Sequence, residues 1–155
     1  MHIAEGVLSA PVLAAGAAAT VGGVTVGLWN TDEERIPRVA VLASAFFVGS
    51  LIHVPVGPSS AHLLLVGLTG LILGWAAFPA LLVALLLQAV LFGYGGLTTL
   101  GINTFTMAFP AVICYYLFNA GIRRTGRPVA GLLAFLCGGL GVALACLFTA
   151  VALVA

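Results

Sequence analysis

The first two residues, Met1 and His2, bring three nitrogen donors together. A free α-amine, the amide nitrogen of His2 and the His2 imidazole Nδ1 can close on one metal ion through a five-membered and then a six-membered chelate ring. The fourth in-plane position stays open, and a second histidine could fill it. Nitrogen donors in a square plane suit Ni(II) or Cu(II). The competing expectation is a frayed terminus in which the histidine has no task. His53 and His62 are the two other histidines in the chain.

Other residues could do chemistry too. Ser59, Ser60 and His62 lie close together, as an intramembrane serine hydrolase would require, but a nucleophile needs a positioned base and an orienting third group. Glu5 is the one acidic residue outside the segment Asp32–Arg38. It could orient His2, anchor its segment to backbone amides, or simply be a solvated charge. Gln88 stands alone in an apolar run and is expected to make an interhelical hydrogen bond. Met107 reads as core, and its soft thioether would favour Cu(I) as a ligand. Cys114, Cys137 and Cys146 sit in apolar runs without metal-site spacing and read as small hydrophobes. No phosphate-binding G-x-x-x-x-G-K run occurs.

The elements that must position these groups are membrane helices. Hydrophobic residues make up 63% of the 155 and charged residues 6%, with a mean hydropathy of +1.27, against roughly 25% charged in soluble domains. The net charge of +1 implies no nucleic-acid partner. A transmembrane helix needs about 20 mainly apolar residues, and the runs predict an all-α polytopic bundle of about six spans in one integral membrane domain. They fall at about 9–29, 39–54, 63–78, 80–92, 105–118 and 129–155, after a terminal segment 1–8. Pro79 is expected to end the third span and Pro110 to kink the fifth. The apolar run after Glu5 lacks a basic n-region and is long enough to span, so it reads as a retained helix rather than a signal peptide, with Met1 kept. Ala10, Ala14, Ala18 and Gly22 form a row of small residues, beside Ala15, Ala19 and Gly23, along which another helix could approach closely.

Charge placement orients the bundle. Asp32–Arg38 and Arg123–Arg127 hold all five arginines, and cytoplasmic loops carry the excess of basic residues. Both fall on one side only if an even number of spans separates them, and four fit. That expectation puts the amino terminus, the 55–62 turn and the glycine-rich 93–104 stretch together outside. The second and fourth spans are short, so those two stretches are expected to dip into the bundle and line a cavity.

With those residues in view, a family emerges. Met1-His2-Ile3-Ala4-Glu5-Gly6-Val7-Leu8-Ser9 resembles the amino-terminal signature of the CbiM/NikM family, the substrate-binding (S) components of energy-coupling-factor (ECF) transporters for cobalt and nickel. Gly57-Pro58-Ser59-Ser60-Ala61-His62-Leu63 is similar to the family's second motif, and Gly95–Met107 to its third. The resemblance implies an S-component-like fold and a metal held by the Met1 amine, the His2 amide nitrogen, the His2 imidazole and, carried over to this chain, the His62 imidazole. His53 is the rival fourth donor. Glu5, His53, Ser59, Ser60, Asn103 and Thr104 are candidates to stand behind the ligands, with Asn103 tying the glycine-rich loop to the terminal segment. Implied partners are a transmembrane coupling (T) subunit, two cytoplasmic ATPase subunits and a small accessory membrane subunit in the plasma (inner) membrane of a prokaryote. No cofactor is implied beyond the transported Ni2+ or Co2+. Typical members run further, with one more membrane segment, so this chain is expected to lack the family's last C-terminal helix. The alternatives are the serine hydrolase on Ser60 and His62, or a packing or channel subunit that binds no metal.

Overall fold

A computed structural model describes residues 2–56, 59–62 and 65–155, with side chains described at 2–52 and 65–155. After an irregular terminal segment come α1 (Ala10–Trp29), a short 3-10 turn (Glu33–Arg35), α2 (Ile36–Ser50), the antiparallel strands β1 (His53–Val56) and β2 (Ser59–His62), α3 (Val66–Leu73), α4 (Ala77–Phe92), α5 (Leu100–Arg124) and α6 (Arg127–Val154). Among the described residues, four stretches are long and apolar enough to cross a membrane: Ala10–Trp29, Val66–Phe92, Leu100–Arg124 and Arg127–Val154. The chain is a helical, multi-pass membrane protein. The expected count of about six spans is not confirmed among the described residues, where α2 has 15 residues and α3 only 8.

The boundaries depart from expectation for physical reasons. α2 stops at Ser50, and His53 and Val54 lie in a strand instead of a helix end. β-branched Val54 and Val56 around Pro55 favour extended backbone. The break between the third and fourth apolar runs falls at Gly74, with φ +56°, and not at Pro79. Pro79 lies in the first turn of α4, where a missing N–H costs nothing. α5 begins at Leu100 instead of 105 and runs on to Arg124 through Pro110. Its polar start reads as loop but is helix, because the Thr104 hydroxyl donates to the Leu100 carbonyl and that of Thr106 to the Asn103 carbonyl.

α5 is the central post. Gly70 of α3 lies against Ala111 and Gly74 against Tyr115, so α3 runs parallel to α5. The chain then reverses, and α4 carries Gln88 back toward the amino-terminal end of α5. Phe46, Phe78, Leu81, Leu85 and Met107 are fully buried at the centre. Met107 is core, as read from the sequence. α1 meets α5 and α4 through glycines: Gly16 on Ile102, Gly23 on Phe78, Gly27 on the Trp75 carbonyl. Thr20 Oγ1 adds a 2.6 Å hydrogen bond to the Gly101 carbonyl. The Ala10, Ala14, Ala18 and Gly22 row faces away from the bundle. Cys114 and Cys137 are buried free thiols donating to the Cys137 and Gly67 carbonyls, at 3.6 Å and 3.7 Å, where α3, α5 and α6 cross. Arg35, Arg38 and Arg123 line one cavity with Tyr115 and Leu73, so the two arginine segments meet at the end of α5 opposite Leu100.

Close packing on backbone makes a sharp prediction. A Cβ on Gly70 would collide with the Ala111 carbonyl group, whereas one on Gly22 meets nothing within 4 Å. Gly70→Ala should lower stability by at least about 1–3 kcal/mol, and Gly22→Ala should be neutral or stabilising by roughly 0.5–1 kcal/mol. Thermal unfolding in detergent separates the two.

Candidate metal site

The site is built on the pairing of the terminal segment with α5. Ile3 is buried against Ile102, Leu8, Val12, Leu13 and Ala152. Its backbone N–H donates to Asn103 Oδ1 at 2.9 Å, and its carbonyl accepts from Asn103 Nδ2 at 3.1 Å. The same Nδ2 reaches Thr99 Oγ1 at 3.2 Å. One side-chain amide thus satisfies both backbone groups of Ile3, much as a neighbouring strand would, and Asn103 is itself buried.

Two glycines let the loop after α4 come this close. Gly95 and Gly96 hold φ of +79° and +130°. A Cβ on Gly95 would stand 2.9 Å from Asn103 Nδ2 and 3.5 Å from His2 Cβ, and one on Gly96 would overlap the Glu5 side chain. Glu5 Oε1 accepts from the Thr98 backbone N–H at 3.1 Å and from its hydroxyl at 3.2 Å. These bonds to the ionised form, the backbone one foremost, hold the Glu5 carboxyl below its ordinary range. Glu5 therefore anchors the terminal segment to the backbone and hydroxyl donors of Thr98.

His2 lies half-buried beyond this clasp, its Nε2 2.8 Å from Gln88 Oε1 and its ring 6.1 Å from that of Tyr94. Gln88 makes the interhelical bond expected of it, from Nε2 to Ser50 Oγ on α2, and also reaches His2, which the sequence reading missed. The available signal was a lone amide in an apolar run, since polar groups inside membranes mark sites by default. The Thr104 hydroxyl donates to the Leu100 carbonyl at 2.8 Å.

Met1 lies outside the described residues. His53, Ser59, Ser60 and His62 are described by backbone alone, as the hairpin that leaves α2 just after Ser50. Its register sets His53 directly opposite His62 and Pro55 opposite Ser60. Among the described residues, no three His, Cys, Asp or Glu side chains converge as a metal-binding group would.

These features define a class: a multi-pass helical membrane protein whose amino-terminal segment is docked into one end of the bundle. The family model CbiM, described as the cobalt uptake substrate-specific transmembrane region, matches residues 2–155, and the chain belongs to that family. It is 54% identical over 123 residues to a Haemophilus influenzae protein provisionally named a metal transport protein, covering 79% of this chain and 60% of the relative. It is 40% identical over 114 residues to the fused nickel transport protein NikMN of Rhodobacter capsulatus, covering 70% of this chain and 33% of the relative. Over 145 residues it is 34% identical to the cobalt transport protein CbiM of Sorangium cellulosum, covering 86% and 64%. The crystal structure of a truncated transition metal transporter superposes with a TM-score of 0.82 at 33% identity, covering 99% of this chain and 74% of that one. The chain thus spans less than two thirds of the length of the first two relatives.

Two outcomes test the clasp. Asn103→Ala should leave both Ile3 backbone groups unpartnered in a buried place and weaken docking by about 1–3 kcal/mol, read as faster hydrogen exchange at the Ile3 amide. The Glu5 contribution is present above the ordinary carboxylate range and lost as pH falls through its lowered pKa. The Thr98 amide resonance should follow that titration, and the step should vanish in Glu5→Gln.

Proposed function

We propose that this protein is the substrate-binding component of an ECF-type uptake transporter and captures Ni2+ or Co2+ on the external face of a prokaryotic plasma membrane. The ion takes the place of solvent among the Met1 amine, the His2 amide nitrogen, His2 Nδ1 and a His62 imidazole nitrogen. The observation that carries this reading is the docking of Ile3 on Asn103. It turns a chain end that would otherwise fray into a fixed segment, with His2 already held by Gln88. Support for His62 comes from the family motif and from a hairpin that springs from α2 beside Ser50, one hydrogen bond from Gln88. His53, opposite His62 in the register, is the nearest competitor.

Capture on nitrogen donors requires a deprotonated amine and neutral imidazoles, so affinity falls with acidity. The protein binds and hands over its cargo, and carries out no reaction on it. Energy comes from a coupling membrane subunit and two ATPases on the side of the arginine segments. The outward-facing row of Ala10, Ala14 and Ala18 and the Arg35, Arg38 and Arg123 cluster are the surfaces offered to them. The cobalt and nickel transport names of the relatives support the cargo. No observation favours the serine hydrolase on Ser60 and His62 or the metal-free channel.

One added residue before Met1 tests the ligand set. Extension moves the amine away from its chelate ring, so bound nickel or cobalt should drop sharply in an equilibrium competition assay while the fold persists. Unchanged affinity in the extended chain would refute this set. His62→Ala should weaken binding far more than His53→Ala.

A further inference from the structure

We propose that Gln88 is a positioning residue that selects the His2 tautomer with Nδ1 unprotonated; this rests on the reading of His2 as a metal donor through that nitrogen. The argument is a count of protons along a buried chain. Ser50 has one hydroxyl hydrogen, and it goes to the Phe47 carbonyl at 2.8 Å. Ser50 Oγ can therefore only accept from Gln88, which puts the amide NH2 of Gln88 toward Ser50 and its carbonyl oxygen toward His2. A carbonyl oxygen brings no hydrogen, so the hydrogen in the 2.8 Å contact belongs to His2 Nε2. In the neutral ring Nδ1 then carries the lone pair.

Nδ1 is the nitrogen that closes a six-membered ring with the amide nitrogen of the same residue; Nε2 cannot reach that position. The relay runs from the α2 backbone at Phe47, through Ser50 and Gln88, to the ring. Both intermediates are buried, Gln88 at 0% and Ser50 at 2% exposure, so water does not compete for their bonds. Reversing the Gln88 amide would set two oxygens face to face at Ser50, whose only hydrogen is already committed. The orientation is thus dictated from two residues away, and the ring is prepared before an ion arrives. Outer partners of metal-bound imidazoles commonly fix the ring in this way, and here the partner is a neutral amide on a membrane helix, where a carboxylate would be costly.

The test uses the full chain in detergent, metal-free, with ring-15N-labelled histidine. The His2 signals are assigned by their loss in His2→Ala. Long-range 1H–15N spectra should show His2 protonated at Nε2. Gln88→Met keeps the length but replaces the carbonyl oxygen with a weakly accepting thioether and should raise the Nδ1–H form; Gln88→Glu keeps an acceptor oxygen and should preserve Nε2–H. Ser50→Ala, which removes the group that orients the amide without touching His2, should shift the balance in the same direction as Gln88→Met. Nickel affinity by competition should fall by about 10–100-fold in Gln88→Met and be recovered at least in part in Gln88→Glu. A native His2 protonated at Nδ1, or a Gln88→Met protein with unchanged tautomer, would overturn the proposal. The expected tautomer pattern with no nickel bound by any variant, native included, would overturn instead the reading of His2 as a donor.

Discussion

The terminal segment depends on one side-chain amide. Asn103 has a donor and an acceptor at the spacing of a peptide group, and it spends both on Ile3. Without such a partner, three or four residues of terminal backbone would have to keep their hydrogen bonds to water and stay mobile. With it, the segment enters a bundle end lined by Ile102 and Ala152 and behaves as an added strand on a helix. The other contacts of the segment follow from that docking. Glu5 reaches Thr98, Gly95 and Gly96 leave room for the segment to pass, and His2 arrives at Gln88.

α5 can carry this clasp because it is packed on every side that matters. α3, α4, α1 and α6 all lean on it, with Gly70 on Ala111, Gly101 on Ala17 and Met107 at the centre. In lipid no hydrophobic drive favours helix against helix, so close approach at small residues and interhelical hydrogen bonds must hold the bundle. The Thr20 bond to the Gly101 carbonyl and the Gln88 bond to Ser50 are of that kind. The second also ties the site to the scaffold, and that is why a core hydrogen bond in α4 bears on the ring of a residue at the chain terminus.

The multi-pass helical character was legible from composition and apolar runs, because burial in lipid leaves no other reading of 63% hydrophobic residues. What was legible near the terminal segment is the tie that Asn103 makes to Ile3, because a lone amide on a polar helix start needs backbone partners. Less legible was where helix gives way to loop. Asn103 and Thr104 look like the end of a polar loop, yet Thr104 satisfies its hydroxyl on its own helix and Asn103 pairs with Ile3. Gly74 and not Pro79 breaks the third apolar run, since proline is harmless in a first turn and a positive φ is not available to most residues. Gln88 could be recognised as a polar residue needing a partner, but its second partner lies 86 positions away, a distance no local pattern reports.

As proposed, the docked amino terminus supplies three nitrogen donors of a planar set and His62 the fourth. The most direct measurement is the magnetic and X-ray absorption signature of the nickel-loaded protein. Four nitrogens in a plane predict a diamagnetic, four-coordinate Ni(II) with a nitrogen-only first shell. A paramagnetic, six-coordinate ion with a largely oxygen shell would contradict the account.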